Sequence, residues 1–544
     1  MPKNDNLRNK QNWTVSATLK LQAQHCADKT LVRIEDQTLS YVEALHSTQR
    51  CAGWLKSLDI KKRDYVAVML PNCIEHCLSW FSLSWLGAVH VAVNTDYRGE
   101  FLRHVLHNCA CEVLIVHTDY VEEVYKIAHK LKNLKQLIIV GDAGIGLEQD
   151  ANKARFTITE FSDWARTTEL LEATETDYRD LACVMYTSGT TGPSKGVMMT
   201  YAHIYLFGLG TIENMALTDE DIFYIVLPLF HANAMFMQLY ASMIIGASVV
   251  IRRRFSGSQW LSDVIKYRAT ITNSLGVVSA FILNQPESDL DRKHSLRTMG
   301  MAPNSPAQEL GLRERFGIQN VVGMYGMTEV NIPLYTPLGV SRPDTCGKVW
   351  EEFYEVEIVN PETDEICKRG ETGEIVVRSR QPFGFMLGYL NMPEKTVEAW
   401  RNFWFHTGDA AWMDAEGYVF FVDRIKDCIR RRGENISSYQ IETCIAEHPA
   451  IDEVAAYAVP SEISGDDEEI MIAFVQAPTA AISFEEIAEF SAETMPTFSI
   501  PRYFRQLDAL PKTPTGKVQK HLLKTQAITK DSWDRQSPKS AIKP

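Results

Sequence analysis

Tyr186-Thr187-Ser188-Gly189-Thr190-Thr191-Gly192-Pro193-Ser194-Lys195-Gly196-Val197 is the stretch on which the reading of this chain turns. It follows an apolar run, Leu181 to Met185, with the length and texture of a buried strand. Three glycines, three threonines, two serines and one lysine fall within its twelve positions. Glycine lets the backbone turn tightly and come close to a ligand. Successive N–H groups and hydroxyls make an anion-binding concavity, to which a lysine adds a point charge. Together they describe a grip on phosphate. No Gly-Lys here is followed by Ser or Thr, so the stretch is not a Walker A loop. Composition alone would equally suit a plain flexible loop.

Upstream, short apolar runs alternate with helical signals. Tyr65 to Leu70, Gly87 to Val93, Glu112 to Val116 and Gln136 to Val140 read as strands, with a helix running to Leu86. Such alternation predicts a parallel sheet with helices on its faces. Ile222 to Ile251 contains no Asp, Glu, Lys or Arg, which by length could span a membrane. Pro228, His231, Asn233, Gln238 and Gly246 break it into a strand, a loop, a buried helix and a β-branched strand, Ser248 to Ile251. Cys73, His76 and Cys77 invite a zinc reading, yet Ile74, Cys77, Leu78 and Phe81 recur at helical spacing and predict core thiols instead.

The chain has 544 residues, more than one core usually holds, so two or more domains are expected. A net charge of −14 excludes a broad nucleic-acid surface. Met1 to Trp13 is polar and carries no apolar signal region, and none of the eleven cysteines forms a Cys-x-x-Cys pair. Both point to reduced thiols and a cytoplasmic location.

Downstream lie further groups with chemistry to offer. Leu227-Pro-Leu-Phe-His231-Ala-Asn233 sets a histidine among apolar residues. In Val321 to Glu329, a β-branched strand ends in Tyr325, Thr328 and Glu329. Tyr325 can stack on a base, the Thr328 hydroxyl can hold a phosphate or a carbonyl, and Glu329 can bind Mg²⁺, which favours oxygen ligands and substrate phosphates. Asp409 follows a turn in Trp404 to Asp409 and can accept both hydroxyls of a ribose. Leu510 to Lys517 taken alone is a basic surface turn.

These motifs, in this order, resemble the adenylate-forming superfamily of acyl-CoA synthetases, stand-alone adenylation domains and beetle luciferases. The resemblance covers about residues 15 to 525. It implies an α/β fold: a large N-terminal domain of two doubly wound sheets plus a small β-barrel, over 1–425, and a smaller mobile α+β lid over 426–525. Residues 526–544, largely polar, are expected to be a disordered tail. The implied reaction joins a small-molecule carboxylic acid to AMP, using ATP and Mg²⁺, and then to coenzyme A.

The resemblance also assigns roles. Thr187, Ser188, Gly189, Thr190, Thr191, Gly192 and Lys195 would hold phosphate, with Ala302, Tyr325, Thr328, Asp409 and Arg424 completing the ATP site. Lys517 would be the catalytic lysine of adenylation, beside Thr328, Glu329 as the Mg²⁺ ligand, and His231 as a gate. His231, Asn233, Met235, Gly276, Gly300, Met301 and Met324 would line the acyl pocket. Lys426 would be the hinge, and Gly433 and Glu434 would line the CoA tunnel. The acyl-wall stretches carry methionines and no Asp or Glu, which predicts an adaptable apolar pocket and an uncharged acid tail. Family members more often carry a small residue where Met301 stands.

Overall texture, including Lys266 to Thr270, is similar to the carnitine/crotonobetaine-CoA ligase group. Other readings stay open: an enzyme that loads a carrier protein, a luciferase-like oxygenase, and a non-catalytic nucleotide-binding regulator. The acid and the oligomeric state are open too, a homodimer being one option.

Overall fold

The computed structural model describes residues 5–141, 155–187, 194–425, 427, 429–431, 434–461, 468–478, 480–495, 499–513 and 516–537. Ser188, Gly189, Thr190, Thr191, Gly192, Lys426 and Gly433, to which the resemblance assigns roles, lie outside the described residues, as does the side chain of Glu434.

Two large sheets dominate. The first has eight strands in the order Gly388–Tyr389, Lys195–Thr200, Leu181–Thr187, Val89–Ala92, Tyr65–Met69, Val113–His117, Gln136–Val140 and Thr157–Glu160. It is parallel from Leu181–Thr187 to its far edge. The second has nine strands, centred on Ile222–Ile225, Ile271–Leu275, Thr298–Ala302 and Asn320–Met327 in parallel register. Their near-continuous apolar sequences suit strands covered on both faces.

One hydrophobic core joins the two sheets, drawing Ala182 and Cys183 from the first and Val249 and Met299 from the second. The helix Tyr201–Asn214 belongs to it and is buried at every position from Tyr201 to Ile212. A helix apolar on all sides has to lie inside. At Gly208 an added Cβ would lie 2.7 Å from the Ile244 side chain and 3.3 Å from Ala241 backbone, so glycine sets that close crossing.

The charge-free stretch forms the expected strand, loop, helix and strand, with one departure. Asn233–Tyr240 is π-helical and only Ala241–Ile245 is α-helical. Among the described residues no helix is long and apolar enough to cross a membrane. Cys77 and His76 are core residues, and no group of three or more His, Cys, Asp or Glu among the described residues could hold a metal.

Where the small barrel is expected stands a five-stranded antiparallel sheet built on Tyr354–Val359, Thr372–Ser379, Trp404–Met413 and Val419–Arg424. A separate four-stranded sheet follows: Ile451–Pro460, Glu468–Gln476, Tyr503–Gln506 and Trp533–Asp534. It has its own core on each face, one against Ser438–Ala446 and Phe484–Thr494, the other against Lys520–Gln526.

The fourth strand corrects the expectation of a disordered tail from 526. Trp533 stacks on Phe484 with ring centroids 5.8 Å apart, and Asp534 pairs with Arg502 at 3.0 Å. Asp531 adds an ion pair to Arg505 and Arg535 donates to the Pro501 carbonyl, contacts that averaged composition hides. Residues 538–544 lie outside the described set.

Candidate active site

The phosphate stretch joins two antiparallel strands, Leu181–Thr187 and Lys195–Thr200, with Thr187 opposite Lys195. Both flanking residues face Glu329, which is 3% exposed. Glu329 Oε1 accepts from the Thr187 hydroxyl at 3.3 Å and from the Tyr389 hydroxyl at 3.0 Å. The Lys195 ammonium stands 4.1 Å from the centroid of the Tyr389 ring. Burial lowers its pKa below the ordinary lysine value, and the Glu329 and Glu398 charges oppose that. Thr328 is half-buried in the turn just before Glu329.

The implied Mg²⁺ fits this donor set. A hard cation that keeps substrate phosphates and water needs only one or two protein carboxylates. One buried carboxylate held through a single oxygen, beside the two strands that flank the expected phosphate stretch, meets that need.

The residues expected to hold the nucleoside come from three strands: Tyr325 from Asn320–Met327, Asp409 from Trp404–Met413 and Arg424 from Val419–Arg424. Asp409 is 3% exposed; its Oδ2 accepts from the Tyr325 hydroxyl at 2.6 Å and its Oδ1 pairs with Arg424 Nε at 2.7 Å. Strand register produces the second contact, since Asp409 and Arg424 are cross-strand partners. Burial raises the Asp409 pKa, and the Arg424 charge and Tyr325 hydroxyl oppose it.

Next to Arg424, Asp423 Oδ2 accepts the backbone N–H of Ser438 at 2.6 Å and of Tyr439 at 3.2 Å, capping the helix Ser438–Ala446. That cap ties the C-terminal part to the five-stranded sheet.

Lys517 lies in the same cleft as Tyr325, Asp409 and Arg424, a space of about 560 Å³ that also takes in Asp427 and Lys520. Its turn is closed by Thr513 N–H to Lys517 O at 2.7 Å and Lys517 N–H to Thr513 Oγ1 at 3.1 Å. Lys517 keeps an open side to solvent. Partial desolvation in the cleft and the nearby Arg424 charge lower its pKa below the ordinary lysine value, opposed by Asp409 and Asp427. More than one hundred residues separate Lys517 from Asp409 in sequence, and the fold places both in one space.

The acyl residues divide. His231 is half-buried with its ring 4.7 Å from Phe230, and burial pushes its pKa down to about 4, so it is neutral at physiological pH. Asn233 Oδ1 accepts from Gln238 Nε2 and from Asn273 Nδ2, each at 2.9 Å. Gly300 sits beside this amide group: an added Cβ there would lie 2.5 Å from both Asn273 Oδ1 and Met324 Cε.

Met301 and Gly276 do not join them. Successive strand residues point to opposite faces, so Met301 turns away from Gly300 and its sulfur accepts from Ser279 at 3.1 Å. Gly276 packs toward Pro303 and Gln308. The wall expected from Gly300 and Met301 together is therefore not formed by both. Met235 is buried within the π-helical segment, and Ala302 ends its strand half-buried.

Sequence reasoning assigns nothing to Tyr389, and it places Gln238 and Asn273 only within stretches that the resemblance expects to wall the acyl pocket, with no role for either side chain. The Gly388-Tyr389 pair gives a weak cue, a glycine before a buried aromatic, but only the strand pairing with Val197 and Met198 carries Tyr389 to the phosphate hairpin.

Comparison with known proteins agrees with this geometry. The AMP-binding enzyme family profile matches residues 19–390, and the profile of the AMP-binding enzyme C-terminal domain matches residues 440–517. The crotonobetaine/carnitine–CoA ligase of Salmonella paratyphi B is 30% identical over 507 residues, covering 91% of this chain and 96% of that protein. The ligase of that name from Proteus mirabilis is 29% identical over 502 residues, covering 89% and 92%. Among solved structures, the anthranilate CoA ligase AuaEII in complex with anthranoyl-AMP superposes with a TM-score of 0.83 at 25% identity, covering 94% of this chain and 96% of that one. ATP-bound MatB from Rhodopseudomonas palustris shares the fold, with a TM-score of 0.81 at 24% identity over 94% and 98%.

Proposed function

This chain belongs to the AMP-binding enzyme family and is an acyl-CoA ligase of the adenylate-forming kind, and we propose that its residues divide the two half-reactions as follows. In the first, a carboxylate oxygen of the acid attacks the α-phosphorus of ATP; the bond to the β-phosphate oxygen breaks and pyrophosphate leaves. In the second, the sulfur of CoA attacks the acyl carbon, the acyl–phosphate bond breaks, AMP leaves with the electron pair, and the thiol proton is lost to solvent.

The observation that carries this reading is the meeting of Tyr325, Asp409, Arg424 and Lys517 in one cleft. Tyr325 takes the base, and Asp409 takes the ribose hydroxyls while Arg424 holds its charge. Lys517 and Lys195 place positive charge where the phosphates gain negative charge, and Thr328 holds a phosphate or acyl oxygen. Held by Glu329 and the phosphates, Mg²⁺ would supply further charge neutralisation at the leaving pyrophosphate. His231, neutral, stands at the mouth of the acyl side as a gate. Residues 1–425 form the ATP- and acyl-binding part and 426–525 a lid that excludes water from the mixed anhydride. Turning of the lid at Lys426 withdraws Lys517 and presents Gly433 and Glu434 to CoA.

We assign the enzyme to the cytoplasm and its acid to small or medium acyl chains. A betaine acid, as in the names of the crotonobetaine/carnitine–CoA ligases, is the second reading and is favoured by their 30% identity. Against it, none of the acyl residues near Asn273 carries a negative charge to balance a quaternary ammonium. Incubation with ATP, Mg²⁺, CoA and a panel of acids, without oxygen or any carrier protein, tests the reading. Steady thioester formation with equimolar AMP and pyrophosphate is expected. Product that appears only with oxygen or a carrier would contradict it.

A further inference from the structure

Three amides sit at one buried spot. Gln238 is 0% and Asn273 1% exposed, whereas Asn233 is partly open and lies two residues from the half-buried His231. The π-helical winding of Asn233–Tyr240 brings residues five apart onto one face, which is why Gln238 reaches Asn233 at 2.9 Å. Asn273 arrives from the adjacent strand Ile271–Leu275. Asn233 Oδ1 takes an N–H from each neighbour. Gln238 Oε1 and Asn273 Oδ1 are then left with no hydrogen-bond partner.

Buried amide oxygens without a protein donor are costly, since each gives up bulk hydration for no protein hydrogen bond. Asn273 Oδ1 lies over the Cα of Gly300, and the methyl groups of Met324 and Met215 close the same space. Met324 directly precedes Tyr325, so the strand Asn320–Met327 presents Met324 to this spot and Tyr325 to the nucleoside residues from adjacent positions. Methionine methyls are readily displaced by an incoming chain.

Resting on the acyl-CoA ligase reading, we propose that Gln238 and Asn273 form the specificity end of the acyl site. The two oxygens accept a hydrogen bond from the far end of the acid. The substrate class is then a carboxylic acid with a hydroxyl or N–H donor on its tail, reaching inward past His231 and Asn233. An all-alkyl tail leaves both oxygens unpartnered, and a tail that only accepts hydrogen bonds is repelled by them.

The test uses straight-chain acids from butanoate to octanoate, each plain, with a terminal hydroxyl, and with a terminal methoxy group. Trimethylammonium acids of matching length, which carry no donor, complete the set. Pyrophosphate release gives kcat/KM. For the best chain length, the hydroxy acid is expected to exceed its plain and methoxy partners by about tenfold to a hundredfold. Gln238→Met, nearly the same shape without the acceptor, is expected to bring that ratio toward one; Asn273→Ala is the second variant. Binding of a fluorescent ATP analogue reports that each variant is folded, and the wild-type ratio decides alone if neither folds. Plain or trimethylammonium acids used as well as hydroxy acids would overturn the inference while leaving the ligase reading standing. No pyrophosphate with any acid would overturn both.

Discussion

The nucleotide end and the acyl end of this site are built in opposite ways. The nucleotide end is charged: Asp409 is held between Tyr325 and Arg424, and Glu329 between Thr187 and Tyr389, while Lys517 arrives from the far part of the chain. The proposed acyl end is neutral: three amides, a glycine and methionine methyls meet there. Chemistry common to every substrate, neutralising phosphate, calls for fixed charges. Telling one acid from another calls for shape and for neutral hydrogen-bonding groups, which cost less to bury than ions.

This contrast can be broken experimentally, and the largest effect belongs to the charged end. Lys517→Ala is expected to slow acyl-adenylate formation by about a hundredfold to a thousandfold, the scale of losing one group that stabilises developing charge. Thioester formation from supplied acyl-adenylate should keep near wild-type rates, because a residue specific to one transition state affects one step. Rapid-quench measurement of both half-reactions checks it, and equal loss in the two would strip Lys517 of its role in adenylation.

A smaller effect is expected at Tyr389, which positions Glu329. Tyr389→Phe keeps the ring beneath Lys195 and deletes the bond to Glu329 Oε1. About a tenfold rise in the Mg²⁺ concentration needed for half-maximal adenylation should follow, with about a tenfold weakening of ATP binding in the presence of Mg²⁺. Calorimetric titration of ATP with and without Mg²⁺ supplies the second reading. If affinity falls equally in both titrations, Tyr389 supports the fold and not the carboxylate.

Legibility in the sequence follows the same division. Phosphate, base and ribose motifs are runs of adjacent residues whose turns and strands are local, so Thr187, Tyr325, Glu329 and Asp409 can be singled out from their own stretches, whereas Arg424 and Lys517 are singled out by the resemblance alone. The alternation of short apolar runs and helices likewise reveals the parallel sheets. Tyr389 escapes because its role comes from an edge-strand pairing across the fold. The resemblance expects Asn233 at the acyl site, but its bonds to Gln238 and Asn273 are not legible in the sequence. A π-helix has no signature in 3.6-residue periodicity, and Asn273 joins from another strand. Methionine content suggests an apolar pocket at Met301, whereas strand alternation turns that side chain to the other face.

An acyl-adenylate made at the charged end and consumed by CoA is the central claim. Wild-type enzyme in excess over acid, with ATP and Mg²⁺ but no CoA, should accumulate bound acyl-adenylate and one equivalent of pyrophosphate per acid consumed, read by mass spectrometry of the quenched mixture. Adding CoA should convert that species to thioester and AMP in a single turnover. Appearance of ADP and phosphate, or thioester formed on adding CoA with no adenylate present beforehand, would contradict the claim.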